Sequence, residues 1–441
     1  MNQWRSVLAG AGGAMVVVVT GSAFFVNELL PSISQHAINP SGPIYALALL
    51  VITVGALLLL RWWPYLLLAA ALLGVLIVVL GLPDDLGVYY PVPYPLLAVL
   101  HYVPYPLALV GTLGCAQSLR DRGAVVAGLT GGAIVFATAV TGSIRWLHGP
   151  ITAPWYTGLI TFGLLAVLPA VWTLRRGDAA AALPAGRPGT WQLVATGLVL
   201  SLTIVAGWIG GQMTALHIIP WDDPWLERLV LGTATVVVAT WLTALGGPWT
   251  LAGTLTGAAI LVSVVQPLYI AVGSLREAGP AGWVAVAAGL ALGSAVAVTR
   301  WRVYGAVALT VAAAVTLVLT RDLIRLGLHS GERDSRVYPL LVLCVAATVA
   351  VFGAVAPALA PHGAVPAALG PLAATVAVGG ANTINGLDRW SSGAEDGEFV
   401  VSAVLALVAG LGVAGLGLAR HLIGRRTRGA GPVPAETTVA P

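Results

Sequence analysis

Apolar residues run down this chain in blocks of about twenty, the length that crosses a bilayer as a helix. Short polar breaks bearing Pro, Gly or Arg separate the blocks. Fourteen helical spans are predicted, on 8–30, 44–60, 65–82, 95–118, 123–143, 155–174, 190–212, 228–246, 249–273, 281–299, 303–320, 337–358, 365–386 and 399–423. Residues 5–25 have a second reading as a secretory leader ending near Gly21-Ser22-Ala23.

The pattern repeats itself. Leu8-Ala9-Gly10 opens an apolar run, and Leu251-Ala252-Gly253 opens another 243 positions later. Arg61-Trp62-Trp63-Pro64-Tyr65 joins one pair of spans, and Arg300-Trp301-Arg302-Val303-Tyr304 joins its counterpart at an offset of 239. Pro95-Leu96-Leu97 answers Pro339-Leu340-Leu341 at 244, and Gly123-Ala124-Val125 answers Gly363-Ala364-Val365 at 240. Four landmarks in one order at nearly one offset predict a duplicated six-helix unit with two spans between the copies. The unit boundaries fall at 1–176 and 248–426, with a linker and two extra spans in 177–247 and a disordered cytoplasmic tail at 427–441. Because two spans intervene, the copies run in parallel, and such repeats are the usual plan of secondary transporters, whose site lies between them.

Composition narrows the class. The chain is 58% hydrophobic and 9% charged, where a soluble domain carries about 25% charged residues. All basic residues are arginine, and they read as compositional bias and not as a nucleic-acid footprint. With the N-terminus inside, the cytoplasmic segments hold 13 of the 21 arginines against three acids, Asp121, Asp178 and Glu436. The positive-inside rule therefore predicts both termini in the cytoplasm, in the cell (inner or plasma) membrane. Cys115 and Cys344 both fall inside spans and read as small packing residues, with no disulfide, metal or cofactor implied. No ATPase or hydrolase signature occurs, so no catalytic residue is assigned and the chain is not read as an enzyme.

The all-α polytopic plan, fourteen transmembrane helices as 6+2+6 with parallel repeats, resembles the fourteen-helix drug:proton antiporter branch of the major facilitator superfamily. Val26-Asn27-Glu28-Leu29-Leu30-Pro31-Ser32-Ile33 is similar to that branch's first-helix ending, commonly Val-Asn-Val-Ala-Leu-Pro-x-Ile. The chain also departs from the family. It has Ser22 where members carry an Asp, and its loop between the second and third spans is reduced to Arg61-Trp62-Trp63-Pro64. It has no Arg between Pro95 and Ser118, where members carry one in the fourth span, and no Gly-Pro pair in the fifth, although Gly128, Gly131, Gly132 and Gly142 make a glycine-rich surface.

Few residues within the spans carry chemistry. Glu28 is the acid placed in a span, where a charged carboxylate costs roughly 2.5–3.5 kcal/mol at the helix centre and so usually faces a cavity or a partner. It is the candidate for proton coupling; alternatively it is solvated at the outer interface, three residues before Pro31. Asn27, Gln266 and Asn382 are amides near outer span ends, and Gln266 is the repeat partner of Asn27 at 239. They either hydrogen-bond a substrate or link neighbouring helices at about 0.6 kcal/mol per bond. The fourth span carries His101, Tyr102 and Tyr105 around Pro104 and Pro106. Prolines there predict a kinked helix with polar tips on aromatic walls, suited to an amphipathic substrate. An aromatic belt at the interface is the other reading.

By the resemblance, the expected function is secondary active transport: export of a small amphipathic or lipophilic molecule by alternating access, with protons as coupling ion. The alternative is a non-transporting relative that scaffolds or assists a membrane assembly and so binds a membrane-protein partner, an idea motivated by the missing loop motif. Expected partners are thus a small-molecule or lipid-like substrate and membrane lipids, with no nucleic acid.

Overall fold

A computed structural model describes residues 3–29, 42–80, 99–100, 102–119, 123, 125–134, 137, 153–175, 280–330 and 338–359, with isolated positions 193–194, 197–198, 201, 415 and 419. Among the described residues every regular element is helical. In chain order they are α1 (Gln3–Leu29), α2 (Gly42–Leu58), α3 (Trp63–Val79), α4 (Pro104–Ser118), α5 (Val125–Ile134), α6 (Ala153–Arg175), α7 (Pro280–Val298), α8 (Arg302–Ser330) and α9 (Tyr338–Leu359). Each lies on an expected span. The spans expected at 228–246, 249–273 and 365–386, the linker and the tail lie outside the described residues, as do most of 190–212 and 399–423.

Trp4–Phe24, Leu60–Val79 and Arg302–Thr320 are long and apolar enough to cross a membrane. Other helices turn large apolar side chains outward. Phe162, Leu165, Leu168 and Trp172 make an exposed stripe along α6, and Leu47, Val51 and Leu58 do the same on α2. A helix that is apolar inside and out is stable in hydrocarbon and not in water. The protein is an integral membrane protein.

Two boundaries differ from the sequence reading. The span expected at 303–320 is part of a helix that continues ten residues further, to Ser330. The charges of Arg321, Asp322 and Arg325 end the apolar run, but the backbone still bonds to itself beyond it. The fourth span bends where its prolines predicted. Leu100 and Tyr102 are helical, Val103 is a bend, and α4 restarts with Pro104 in its first turn. Pro104 has no N–H to give the Leu100 carbonyl, and a proline is cheapest in a first turn.

α1 is the most buried of the three long apolar helices and packs against α3, α4 and α6. Its crossing with α6 is close because both sides are glycine. A Cβ on Gly12 would stand 2.9 Å from the Gly163 carbonyl oxygen, and one on Gly163 would stand 3.0 Å from that of Gly12. Lipid tails are as apolar as leucine, so close backbone packing of this kind replaces the hydrophobic drive of a soluble core.

α7, α8 and α9 form a second group. The pairings in the two groups are alike: α2 and α3 both pack on α4, and α7 and α8 both pack on α9. Their hairpins match as well. The Arg61 guanidinium lies 5.3 Å from the centre of the Trp62 ring, and Trp62 lies 6.0 Å from Tyr65. Arg300 lies 5.4 Å from Trp301, and Trp301 lies 5.8 Å from Tyr304.

The groups meet where α5 lies along α9. The space beside Gly128 holds the Val349 carbonyl and side chain, and the space beside Gly131 holds the Phe352 ring. Val349 also closes on Gly132 at 3.1 Å and on Gly293 of α7 at 2.7 Å, measured to the Cβ that each glycine lacks. The contact lies at the middle of α9, where Val349 and Phe352 stand, and spans Gly128 to Gly132 of α5.

Candidate functional site

Buried polar groups in a membrane must be satisfied within the protein. Among the described residues, tyrosine, tryptophan and cysteine apart, the buried polar side chains are Ser or Thr. Most hydroxyls bond back to a carbonyl one turn earlier: Thr20 to Val16 at 2.8 Å, Thr112 to Ala108 at 2.6 Å, Thr130 to Val126 at 2.7 Å and Thr348 to Cys344 at 2.8 Å. Ser22 is treated the same way, its hydroxyl donating to the Val18 carbonyl at 2.8 Å. At the position where the resembled family has an acid, this chain thus holds a buried hydroxyl engaged with its own helix. A hydroxyl there cannot carry a proton as a carboxyl does.

The polar-tipped cluster that the fourth span predicted has a definite place. Tyr102 and Tyr105 are three residues apart, so they share a face of their helical segment. That face meets Phe24 of α1. Tyr105 stacks on Phe24 with ring centres 5.0 Å apart and planes at 25°, while Tyr102 meets it edge-on at 6.1 Å and 88°. Both are favoured aromatic geometries. Tyr105 is wholly buried and Tyr102 half-buried. Gly21, one turn before Phe24, leaves room for the Tyr105 ring, which would lie 3.3 Å from a Cβ there.

α1 and α4 run antiparallel, as Cys115 shows by donating its thiol to the Ser6 carbonyl at 3.0 Å at their other end. Tyr105 therefore lies deeper in the first group and Tyr102 nearer its outer end. Asn27 and Glu28 belong to the last turn of α1, which ends at Leu29. Three and four residues beyond Phe24, their backbone positions continue the face that carries that ring. Their side chains, and His101, Gln266 and Asn382 altogether, lie outside the described residues.

The structure thus brings Tyr102, Tyr105 and the α1 terminus together. The member that the sequence reading missed is Phe24. The available signal was spacing: Phe24 stands at i−3 to Asn27 and i−4 to Glu28. Among the described residues no group of His, Cys, Asp and Glu is arranged to hold a metal ion.

No protein-family model matches the chain, and no curated protein is significantly similar to it. Among solved structures, it is similar to one described as "Crystal structure of auto inhibited POT family peptide transporter". The two share 13% identical residues at a TM-score of 0.38, over 95% of this chain and 97% of that chain. A superposition that loose carries no argument about fold or substrate.

Proposed function

We propose that this protein is a secondary active transporter of major-facilitator type, with fourteen helices as 6+2+6. It exports a small amphipathic or lipophilic molecule by alternating access. The observation that supports this reading is the likeness of two helix groups. Among the described residues they have similar hairpins and similar helix pairings, and they meet where α5 lies against α9. Two packed bodies joined at a seam are what rocking between two states requires.

In this proposal the seam is a gate. Inward opening withdraws Phe352 from the notch at Gly131. The substrate site lies toward the outer end, where Tyr102 presents its half-buried ring and the Asn27 and Glu28 positions follow Phe24 along α1. His101, Gln266 and Asn382 complete it from their own spans. Tyr105 backs the site: its buried ring fixes Phe24, which in turn orients Tyr102. Glu28 carries the coupling proton, as the acid that the sequence places within a span. Ser22 cannot substitute for it.

The test is energised efflux of lipophilic dyes from cells expressing wild type or Glu28→Gln, with and without an uncoupler. Dye efflux that the uncoupler abolishes and Glu28→Gln loses is the expected result. Efflux that survives Glu28→Gln removes Glu28 as the coupling acid. No efflux of any dye by well-inserted wild type counts against export of lipophilic molecules.

A further inference from the structure

The two hairpins that the repeat makes equivalent are built alike in a way that folding does not require. Each places an arginine at a helix turn, lays its guanidinium against the next residue's indole, and sets a tyrosine one turn on against that indole. The distances agree between copies: 5.3 and 5.4 Å for the cation, 6.0 and 5.8 Å for the rings. The turns are closed by similar backbone bonds, Trp62 N–H to the Leu59 carbonyl at 2.8 Å and Arg302 N–H to the Thr299 carbonyl at 3.3 Å.

All three side chains of each clamp are exposed: Arg61, Trp62 and Tyr65 in one copy, Arg300, Trp301 and Tyr304 in the other. Neither arginine has an acid near it in sequence, for there is no Asp or Glu from Leu47 to Leu80 or from Ala281 to Thr320. A guanidinium over an indole has N–H groups left for another partner, and its planar fork matches a phosphate in two-point fashion. Tryptophan and tyrosine at the ends of apolar helices settle at the level of lipid headgroups.

We propose that each hairpin binds one anionic phospholipid headgroup of the cytoplasmic leaflet, giving two equivalent lipid sites, one per repeat. The phosphate meets the arginine edge, and the indole and phenol rings border the glycerol region. Charge selects the lipid, and the ring holds the guanidinium in register. The sites are independent of the transport reading, since they require only that the hairpins face a membrane surface.

The test is native mass spectrometry of the purified full chain in neutral detergent, with phosphatidylglycerol, phosphatidylcholine or inorganic phosphate. Wild type is expected to retain two phosphatidylglycerols in preference to phosphatidylcholine, and high salt is expected to weaken that preference. Arg61→Gln and Arg300→Gln should each weaken one site about fivefold, and the double variant should lose the preference. Equal retention of both lipids, or an unchanged preference in the double variant, overturns the proposal. Inorganic phosphate that displaces the lipid from both sites at comparable concentration overturns the assignment to a headgroup. If the double variant does not fold, wild type decides alone: its melting temperature must rise with phosphatidylglycerol and not with phosphatidylcholine. Dye efflux is not part of the readout, so failure here leaves the transport reading untouched.

Discussion

The ring of Phe352 occupies the space that a side chain on Gly131 would need. This one relationship joins α5, a helix of the first group, to α9, a helix of the second. Any larger residue at 131 must displace the ring or part the helices. Gly131→Val is therefore expected to loosen the seam at a cost of about 1–3 kcal/mol, the usual range for overpacking. Val349, buried beside the same seam, gives the readout. In a Val349→Cys background, adding Gly131→Val should speed labelling by a water-soluble maleimide. An unchanged rate would mean that the contact is not a gate.

Phe24 separates the roles of the two tyrosines. Tyr105 is wholly buried against it, so Tyr105→Ala should cost about 3 kcal/mol, the low end for an aromatic-to-alanine change. The low end applies because lipid supplies no hydrophobic penalty for a loosened helix. Tyr102 is half-buried, so Tyr102→Ala should leave the melting temperature within about 2 °C of wild type, as a partly exposed change does. It should nevertheless alter which dyes are extruded. Equal losses of stability in both variants would make Tyr102 a packing residue only.

Glycines divide into those that another helix needs and those it does not. Gly12 faces the backbone of α6, and a Cβ there would stand 2.6 Å from that of Ala166. Gly158, in the same α6, has nothing within 4 Å of its Cβ position. Gly12→Val should lower the melting temperature through forced separation of α1 and α6. Gly158→Ala should raise stability by roughly 0.5–1 kcal/mol, since it removes backbone freedom from the unfolded chain without a clash. Melting of both variants in one detergent checks the pair.

Cys115 and Cys344 are free thiols buried among helices. A thiol enclosed in apolar surroundings is inert. Intact protein should take up no water-soluble maleimide over hours, and denatured protein should take up two, one for each cysteine of the chain. The mass shift before and after denaturation measures this. Labelling of Cys115 in the folded protein would contradict its contact with Ser6, 3.0 Å from thiol to carbonyl.

The existence of the helices was legible in the sequence, and physics explains why. In hydrocarbon a backbone must satisfy its own hydrogen bonds, so a run of twenty apolar residues has one cheap solution. The bend before Pro104 was legible for a similar reason, because a missing N–H and a fixed φ are local properties. The likeness of the two hairpins was legible from Arg61-Trp62 and Arg300-Trp301, because short turns have a geometry that nearby residues decide. The end of α8 was not legible: hydropathy stops at Thr320, while the helix runs to Ser330, because hydropathy reports the solvent and not the backbone.

What only the tertiary structure decided is which faces meet. A helix that is apolar all round carries no polar stripe to mark its outside. Nothing in the local sequence says that Phe24 faces Tyr105, that Ser22 turns its hydroxyl back to Val18, or that Gly131 opposes Phe352. Those pairings depend on shape, on a glycine meeting a ring or a backbone across hundreds of residues. The sequence by itself determined a set of membrane helices and two hairpins of like composition. The tertiary structure chose the partners of each helix, because close packing between lipid-like surfaces is won by fit and not by polarity.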